Sequence, residues 1–518
     1  MAKMKRDIGL IGLTFMAVGG IIGSGWLFGP LLAVQQAGPA AIISWVIGAL
    51  AMFILALTFA EISAMLPVPG GIARVPQFSH GMVVSLIMGW SAWIGYNTTA
   101  PIEVEVMLRY LGPYASWLHE GKTDTLTAAG YGAAAFFLLV FTLINALGVK
   151  FFTYVNTTLT WGKIAIPVVL SIILIASRFD ATNFTNTGGF APYGVHGIFA
   201  AVSTGGVVFS FIGFRHAIDM AGEVHNPKFT IPAALILSIL LCAGIYIGLQ
   251  VAFIGALSPS DLANGWAGLN FGNTGPLDGV LMSVGILWFI SLLNVGAVIG
   301  PFGNALVSTG SNARLAMAMS ENGFLPKILQ HLSSLGVPLW ALALNFAVGL
   351  IILFGMPFKE VVALNGASIV LSFIVGPIAV VALRKLAADR PRSFKLPAVH
   401  LIALLAFIIS TLVVYWSGWD TVWRLGIALL VGLAILAIKF RSNLNELDGA
   451  QALWLIPYLL GIGIISYLGD FGDGALKVIP FGWDMAVCAV FSVAIFVLAV
   501  RSALPQHKFD EYIAEIHK

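Results

Sequence analysis

Gly20-Ile-Ile-Gly-Ser-Gly-Trp-Leu-Phe-Gly-Pro30 and Phe209-Ser-Phe-Ile-Gly-Phe-Arg-His-Ala217 each interrupt a long apolar segment at a point where a membrane helix should be continuous. Unwinding a helix in hydrocarbon exposes backbone amides and carbonyls at roughly several kcal/mol each, so such a break persists only where a ligand, water or protein satisfies them. Each interruption therefore predicts a binding site. Paired interruptions in corresponding positions of two halves point to a substrate site between them.

The surrounding composition fits that reading. Of 518 residues, 59% are hydrophobic and 9% charged, and the mean hydropathy is +0.96, against about 25% charged in soluble domains. The chain is an all-α integral membrane protein with the lipid bilayer as its solvent. Apolar stretches long enough to cross about 30 Å of hydrocarbon fall at about 8–35, 39–66, 82–111, 126–147, 152–177, 196–222, 230–256, 279–310, 337–355, 360–384, 399–417, 422–440, 452–469 and 484–502. These are about fourteen spans, and no separate soluble domain is visible.

If alternate loops share a side, eighteen of the 26 Lys and Arg gather on one face, including Lys3, Lys5, Arg441 and Lys518. Six, Lys122 among them, lie on the other, and Lys163 and Arg215 fall within spans. The basic side is the cytoplasmic one, which places both termini in the cytoplasm and the protein in the cell membrane. The net charge of +3 follows from these loops and gives no reason to expect nucleic-acid binding. Cys242 and Cys488 both sit within spans, leaving no disulfide framework or metal-ligand spacing. The first span is too long and Gly-rich for a cleaved signal peptide.

With spans one to five and six to ten as halves, each half opens on a broken segment, and an odd number of spans inserts the second half upside down. That predicts a 5+5 inverted repeat with broken helices 1 and 6. Residues 1–398 form the transporter core, 399–502 four peripheral spans for packing or oligomerisation, and 503–518 a tail with a short surface helix. Ser311 to Gln330 reads as a basic, partly amphipathic connection. The loops 112–125, 178–195 and 257–278 are placed to cover an entrance.

Small residues around Ser24 let the backbone open so that the amides of Ser24 and Gly25 face an anion such as a carboxylate; a close helix-packing patch is the alternative. At the second break, carbonyls of Phe209 and Ile212 would accept from an ammonium, unless the glycine merely kinks two packed half-helices. An ammonium beside a carboxylate is an α-amino acid. Ionisable residues within spans are functional candidates. Lys163, mid-span, would gain and lose a proton, tether carbonyls of the broken first helix, or both. Arg215 would pair with Asp219, with Glu223, or with a second carboxylate on the substrate. His216 beside it would be a candidate to titrate near neutral pH. Glu103 and Glu105, close to Arg109, read as a rim salt bridge ahead of a proton relay, and Glu61 as the stabiliser of a helix end.

Several motifs complete a pattern: Gly23-Ser-Gly25, Pro67-Val-Pro-Gly-Gly71, Phe211-Ile-Gly-Phe214, Glu223-Val-His-Asn-Pro-Lys-Phe-Thr-Ile-Pro232, Ser311-Asn-Ala-Arg-Leu-Ala-Met-Ala318, Asn322-Gly-Phe-Leu-Pro326 and Arg392-Ser-Phe-Lys-Leu-Pro397. In this order, over residues 8 to 400, they resemble the bacterial amino acid permeases of the amino acid, polyamine and organocation superfamily. The resemblance implies alternating access around a central site. There the substrate carboxylate meets Ser24 and Gly25, and its amino group meets the carbonyls of Ile21, Phe209 and Ile212. Lys163 matches a fifth-span lysine that replaces a sodium ion in proton-coupled relatives, so no cofactor is expected and the proton is the coupling ion. Many relatives carry glutamate where this chain has Arg215, which suggests aspartate or glutamate as substrate.

The expectation is a proton-coupled symporter for acidic amino acids. The proton rides on Lys163, with Glu103 or His216 as lesser candidates, and Phe209, Phe214 and Trp288 close over the substrate. An exchanger, a permease for neutral amino acids and a non-transporting sensor are the alternatives. No catalytic motif marks an enzyme, and no repeated filter or charge ring marks a channel.

Overall fold

The computed structural model describes residues 6–112, 114–120, 125–203, 206–271, 275–439, 447–472 and 474–516. Lys3, Lys5, Lys122, Arg441 and Lys518, all counted in the charge asymmetry, lie outside them. Among the described residues there is no strand, only the isolated bridges Ile8–Val224 and His119–Leu126, and nine helical stretches are long and apolar enough to cross a membrane.

The helices follow the expected spans. Span one is α1 (Leu10–Ile21) and α2 (Gly25–Ala37), followed by α3 (Ala41–Met65), the short α4 (Gly71–His80), α5 (Met82–Leu111), α6 (Ala128–Ala146) and α7 (Val149–Ser177). Span six is α8 (Gly194–Ser203) and α9 (Arg215–Asp219); α10 (Pro227–Ala256), α11 (Pro276–Val284), α12 (Leu287–Glu321) and α13 (Leu339–Gly355) come next. Span ten is α14 (Phe358–Ser372) and α15 (Val375–Leu386), and the chain finishes with α16 (Val399–Trp416), α17 (Trp419–Lys439), α18 (Leu455–Leu468), α19 (Trp483–Arg501) and α20 (Gln506–Ile516). The centre is built by α5 against α12 and α14, and by α10 against α1 and α3.

Three elements differ from expectation. Residues 311–321 are not a surface connection: α12 continues through them, and Ser311 to Ser320 are buried. Their small and polar side chains pack against neighbouring helices, and Arg314 is neutralised by Glu223 in place of solvent. Span ten is broken, with Phe373 and Ile374 separating its halves. The second break is wider than its glycine, because Gly206 takes a left-handed φ of +77° and Phe209–Phe214 tightens into a 3-10 helix.

The face carrying the first and last described residues, Arg6 and Ile516, is closed by long-range contacts. The Ile8 amide donates to the Glu223 carbonyl (3.0 Å), and the His225 amide to the Ile8 carbonyl (2.8 Å). Arg314 clamps Glu223 through Nε (2.6 Å) and Nη2 (3.2 Å), both residues being 1% exposed. Glu61 does more than end a helix: it accepts from Arg384 (2.8 and 2.7 Å) and from the Leu396 amide (2.7 Å), and pairs with Arg392 (3.2 Å). That ties α3 to α15 and to the Arg392–Pro397 motif. On the tail, the Leu504 amide donates to the Ser79 carbonyl at 2.9 Å, which seats α20 against α4.

Candidate functional site

The two breaks touch at glycine. A Cβ on Gly213 would lie 2.1–2.3 Å from the carbonyl group of Gly20 and the amide nitrogen of Ile21, and a Cβ on Gly20 would lie 2.0 Å from the His216 ring. Only backbone fits there, so the half-helices meet face to face. Beside this contact opens a cavity of about 430 Å³ lined by residues of both breaks and of α5, α12 and α14. It reaches past Leu32, Val106 and Arg109 to Phe358 and Val362, residues at the ends of their helices opposite the face of Arg6 and Ile516. The opening is therefore on the side away from that face.

Ile21, Ser24, Gly25, Phe209, Ile212, Arg215, Glu103 and His216 all line this cavity. Lys163 stands behind the first break, where its Nζ donates to the Gly19 carbonyl at 2.6 Å. The tether read from the sequence is thus present. Helix α1 runs to Ile21, and Ile22, Gly23 and Ser24 separate it from α2.

Several expectations need correction. Glu103 is not at a rim salt bridge: it reaches into the first break, accepting from the Ser24 amide (3.4 Å), the Ser24 hydroxyl (3.3 Å) and Asn304 Nδ2 (2.7 Å), while its second oxygen is buried without a partner. A carboxylate from α5 thus already occupies the anion position at Ser24. The Ile21 carbonyl accepts the Tyr246 hydroxyl at 2.8 Å, and the Ile212 carbonyl accepts the Arg215 amide. Phe209 opens the 3-10 turn, so these carbonyls are not simply released. Phe214 is fully buried against Phe59 and Phe373, and Trp288 is 70% exposed on the outside of the bundle. Of the three aromatic residues expected over the substrate, only Phe209 lines the cavity, where Phe28 joins it.

Arg215 makes no ion pair within 4 Å with either carboxylate offered to it, although the Asp219 charge acts on it through space. Glu223 is taken by Arg314. Asp219 accepts from the Tyr96 hydroxyl and from the Ile72 amide (3.4 Å). The Arg215 guanidinium lies 3.9 Å above the Tyr96 ring, and its Nε and Nη1 are buried with no hydrogen-bond partner. A buried guanidinium with unused donors has the chemistry to bind a carboxylate. His216 is held by Ser311 through Nδ1 at 2.9 Å.

Asn304, Ser210, Asn365, Tyr96 and Tyr246 were missed by sequence reasoning. A polar residue mid-span is the one available signal, and Asn365, whose Nδ2 reaches the Gly95 carbonyl at 2.7 Å, carries it. The tyrosines give none, since an isolated Tyr is unremarkable in a membrane helix.

A polytopic helical bundle with a cavity between two facing helix breaks has the architecture of a membrane transporter. A family model, "Amino acid permease", matches residues 8–436, and the chain belongs to that family. It is 36% identical to the glutamate/serine transporter AimA of Bacillus subtilis over 97% of this chain and 95% of the relative. It is 34% identical to the aspartate-proton symporter of the same organism over 98% of each, and 26% identical to its serine/threonine exchanger SteT over 84% of this chain and 97% of the relative.

Proposed function

We propose that this permease is a proton-coupled symporter of acidic amino acids, aspartate or glutamate. The observation that carries the reading is Arg215, a buried cation that lines the cavity and whose Nε and Nη1 have no hydrogen-bond partner, suited to the side-chain carboxylate of such a substrate. The relatives named for transport of glutamate and of aspartate support it.

Charge argues for a proton. An acidic amino acid brings a net negative charge into a cavity where Glu103 already holds the donors of Ser24. Two carboxylates cannot both be accommodated at one small site at acceptable cost. A proton on Glu103 removes the repulsion and frees Ser24 for the substrate. Glu103 thereby moves ahead of His216 and joins Lys163 as a coupling residue. With the termini in the cytoplasm, the open cavity faces outside and the Arg314–Glu223 closure faces inside. Residues 399–502 are read as a peripheral unit around the core.

The test is uptake of radiolabelled aspartate into proteoliposomes under an inward proton gradient, with unlabelled amino acids as competitors. Concentrative uptake competed by glutamate and lost in Arg215→Glu is expected. Arg215→Gln should weaken aspartate relative to asparagine by roughly 10- to 100-fold, the loss of a charge-assisted hydrogen bond. Gradient-independent counterflow without accumulation would identify an exchanger instead.

A further inference from the structure

We infer that Tyr96 and Asp219 are positioning residues linking Arg215 to the start of α4, which packs between α9 and α12 beside the Arg314–Glu223 closure, so that a substrate carboxylate on Arg215 loosens this packing. The inference rests on the reading of Arg215 as a carboxylate receptor. The contacts form an unbroken line. The Arg215 guanidinium rests on the Tyr96 ring; the Tyr96 hydroxyl donates to Asp219 Oδ2. Asp219 Oδ1 accepts the Ile72 amide at 3.4 Å, and the Asp219 carbonyl accepts the Gly70 amide at 2.9 Å.

The far end of this line has little slack. Gly70 holds a left-handed φ of +61°, where a Cβ would lie 2.6 Å from that of Ala318 and 2.8 Å from the Arg314 carbonyl oxygen. On Gly71 a Cβ would lie 2.9 Å from the Ile218 side chain. The start of α4 is therefore wedged between α9 and α12. Arg74, one turn on, donates to Asn322 at the end of α12 at 2.7 Å. Any displacement of Asp219 is passed to α4 through two backbone amides.

The near end responds to ligand charge. With the cavity empty, the guanidinium is held by the negative face of the Tyr96 ring. A carboxylate competes for the same cation with a stronger, directional pair of hydrogen bonds, drawing it off the ring; Tyr96, which packs on the His216 ring at 5.4 Å and remains bonded to Asp219, then loses its cation and shifts together with Asp219. A ligand shifts a conformational equilibrium only by its differential affinity for the two states. Arg215 supplies that difference if its position on Tyr96 belongs to the closed state. A neutral amino acid, lacking the second carboxylate, would occupy the cavity and leave the packing of α4 intact.

Tyr96→Phe keeps the ring and deletes the link to Asp219. In the full-length protein in lipid nanodiscs, aspartate should bind Tyr96→Phe within about threefold of wild type and keep its preference over asparagine. Uptake in proteoliposomes should fall by roughly tenfold or more, and aspartate should no longer raise hydrogen exchange at the amides of Gly70 and Ile72. Asp219→Asn, which retains an acceptor for Ile72 and a partner for Tyr96, should lie between the two, and Asp219→Ala should match Tyr96→Phe. Wild-type uptake and exchange in Tyr96→Phe would overturn the inference. So would loss of aspartate binding in step with uptake, which would confine Tyr96 to holding Arg215. Absence of aspartate binding to the wild-type chain would instead overturn the reading of the site, and this inference with it.

Discussion

Ser24 donates both its backbone amide and its hydroxyl to one oxygen of Glu103, 79 positions further along the chain. The donors expected to receive a substrate carboxylate are thus engaged by an internal one. At 3.3–3.4 Å these bonds are long, whereas Asn304 holds the same oxygen at 2.7 Å, so Ser24 is the more easily surrendered partner.

Glu103→Gln keeps the shape and removes the charge. Aspartate affinity at neutral pH should rise by about threefold or more, while uptake ceases to respond to an imposed proton gradient. Parallel counterflow and gradient-driven uptake in proteoliposomes check this. A variant still driven by the gradient assigns the proton to another group.

Lys163 holds the Gly19 carbonyl at 2.6 Å, immediately before the Gly20–Gly213 contact. Lys163→Ala should reduce proton-driven accumulation by more than about tenfold and leave equilibrium aspartate binding within about threefold. Equal loss of both would reduce the lysine to a tether of α1.

Gly213→Ala would drive a methyl group into the Gly20 backbone, which cannot yield as a flexible side chain does. Overpacking of this kind costs about 1–3 kcal/mol. A lower melting temperature and loss of aspartate uptake are expected, with Gly244→Ala on α10 as the control. Nothing lies within 4 Å of a Cβ at Gly244, and helix propensity there favours alanine by about 0.5–1 kcal/mol.

Arg314 and Glu223 form a pair buried from solvent. Arg314→Met alone leaves an uncompensated buried carboxylate at a cost of roughly 3–5 kcal/mol, whereas the double variant with Glu223→Leu removes both charges and should recover much of the loss. Thermal unfolding of the purified protein in detergent measures both. A double variant no more stable than Arg314→Met would show that the pair acts through shape.

The placement of the spans and of both breaks was legible in the chain, because both are local properties. Twenty apolar residues cross a membrane wherever they occur, and a glycine-rich interruption announces unsatisfied backbone groups before anything is known of its neighbours. Reading Glu103 as a rim residue failed for the opposite reason. Its depth depends on how far α5 is sunk into the bundle, and its partners Ser24 and Asn304 come from the first break and from α12.

What the sequence by itself determined is that this chain spans a membrane repeatedly and breaks spans one and six at glycine-rich segments. Only the tertiary structure decided which groups satisfy those breaks: Tyr246 on the Ile21 carbonyl across 225 positions, Lys163 on Gly19 across 144, Glu103 on Ser24 across 79. It also left Arg215 without an ion pair to its own carboxylates, while Asp219 turned to Tyr96 and Glu223 to Arg314. The reason is that a membrane helix is apolar on all sides. Periodicity then cannot tell which face turns inward, and the rotation and depth that set polar contacts are fixed by close packing between helices distant in the chain.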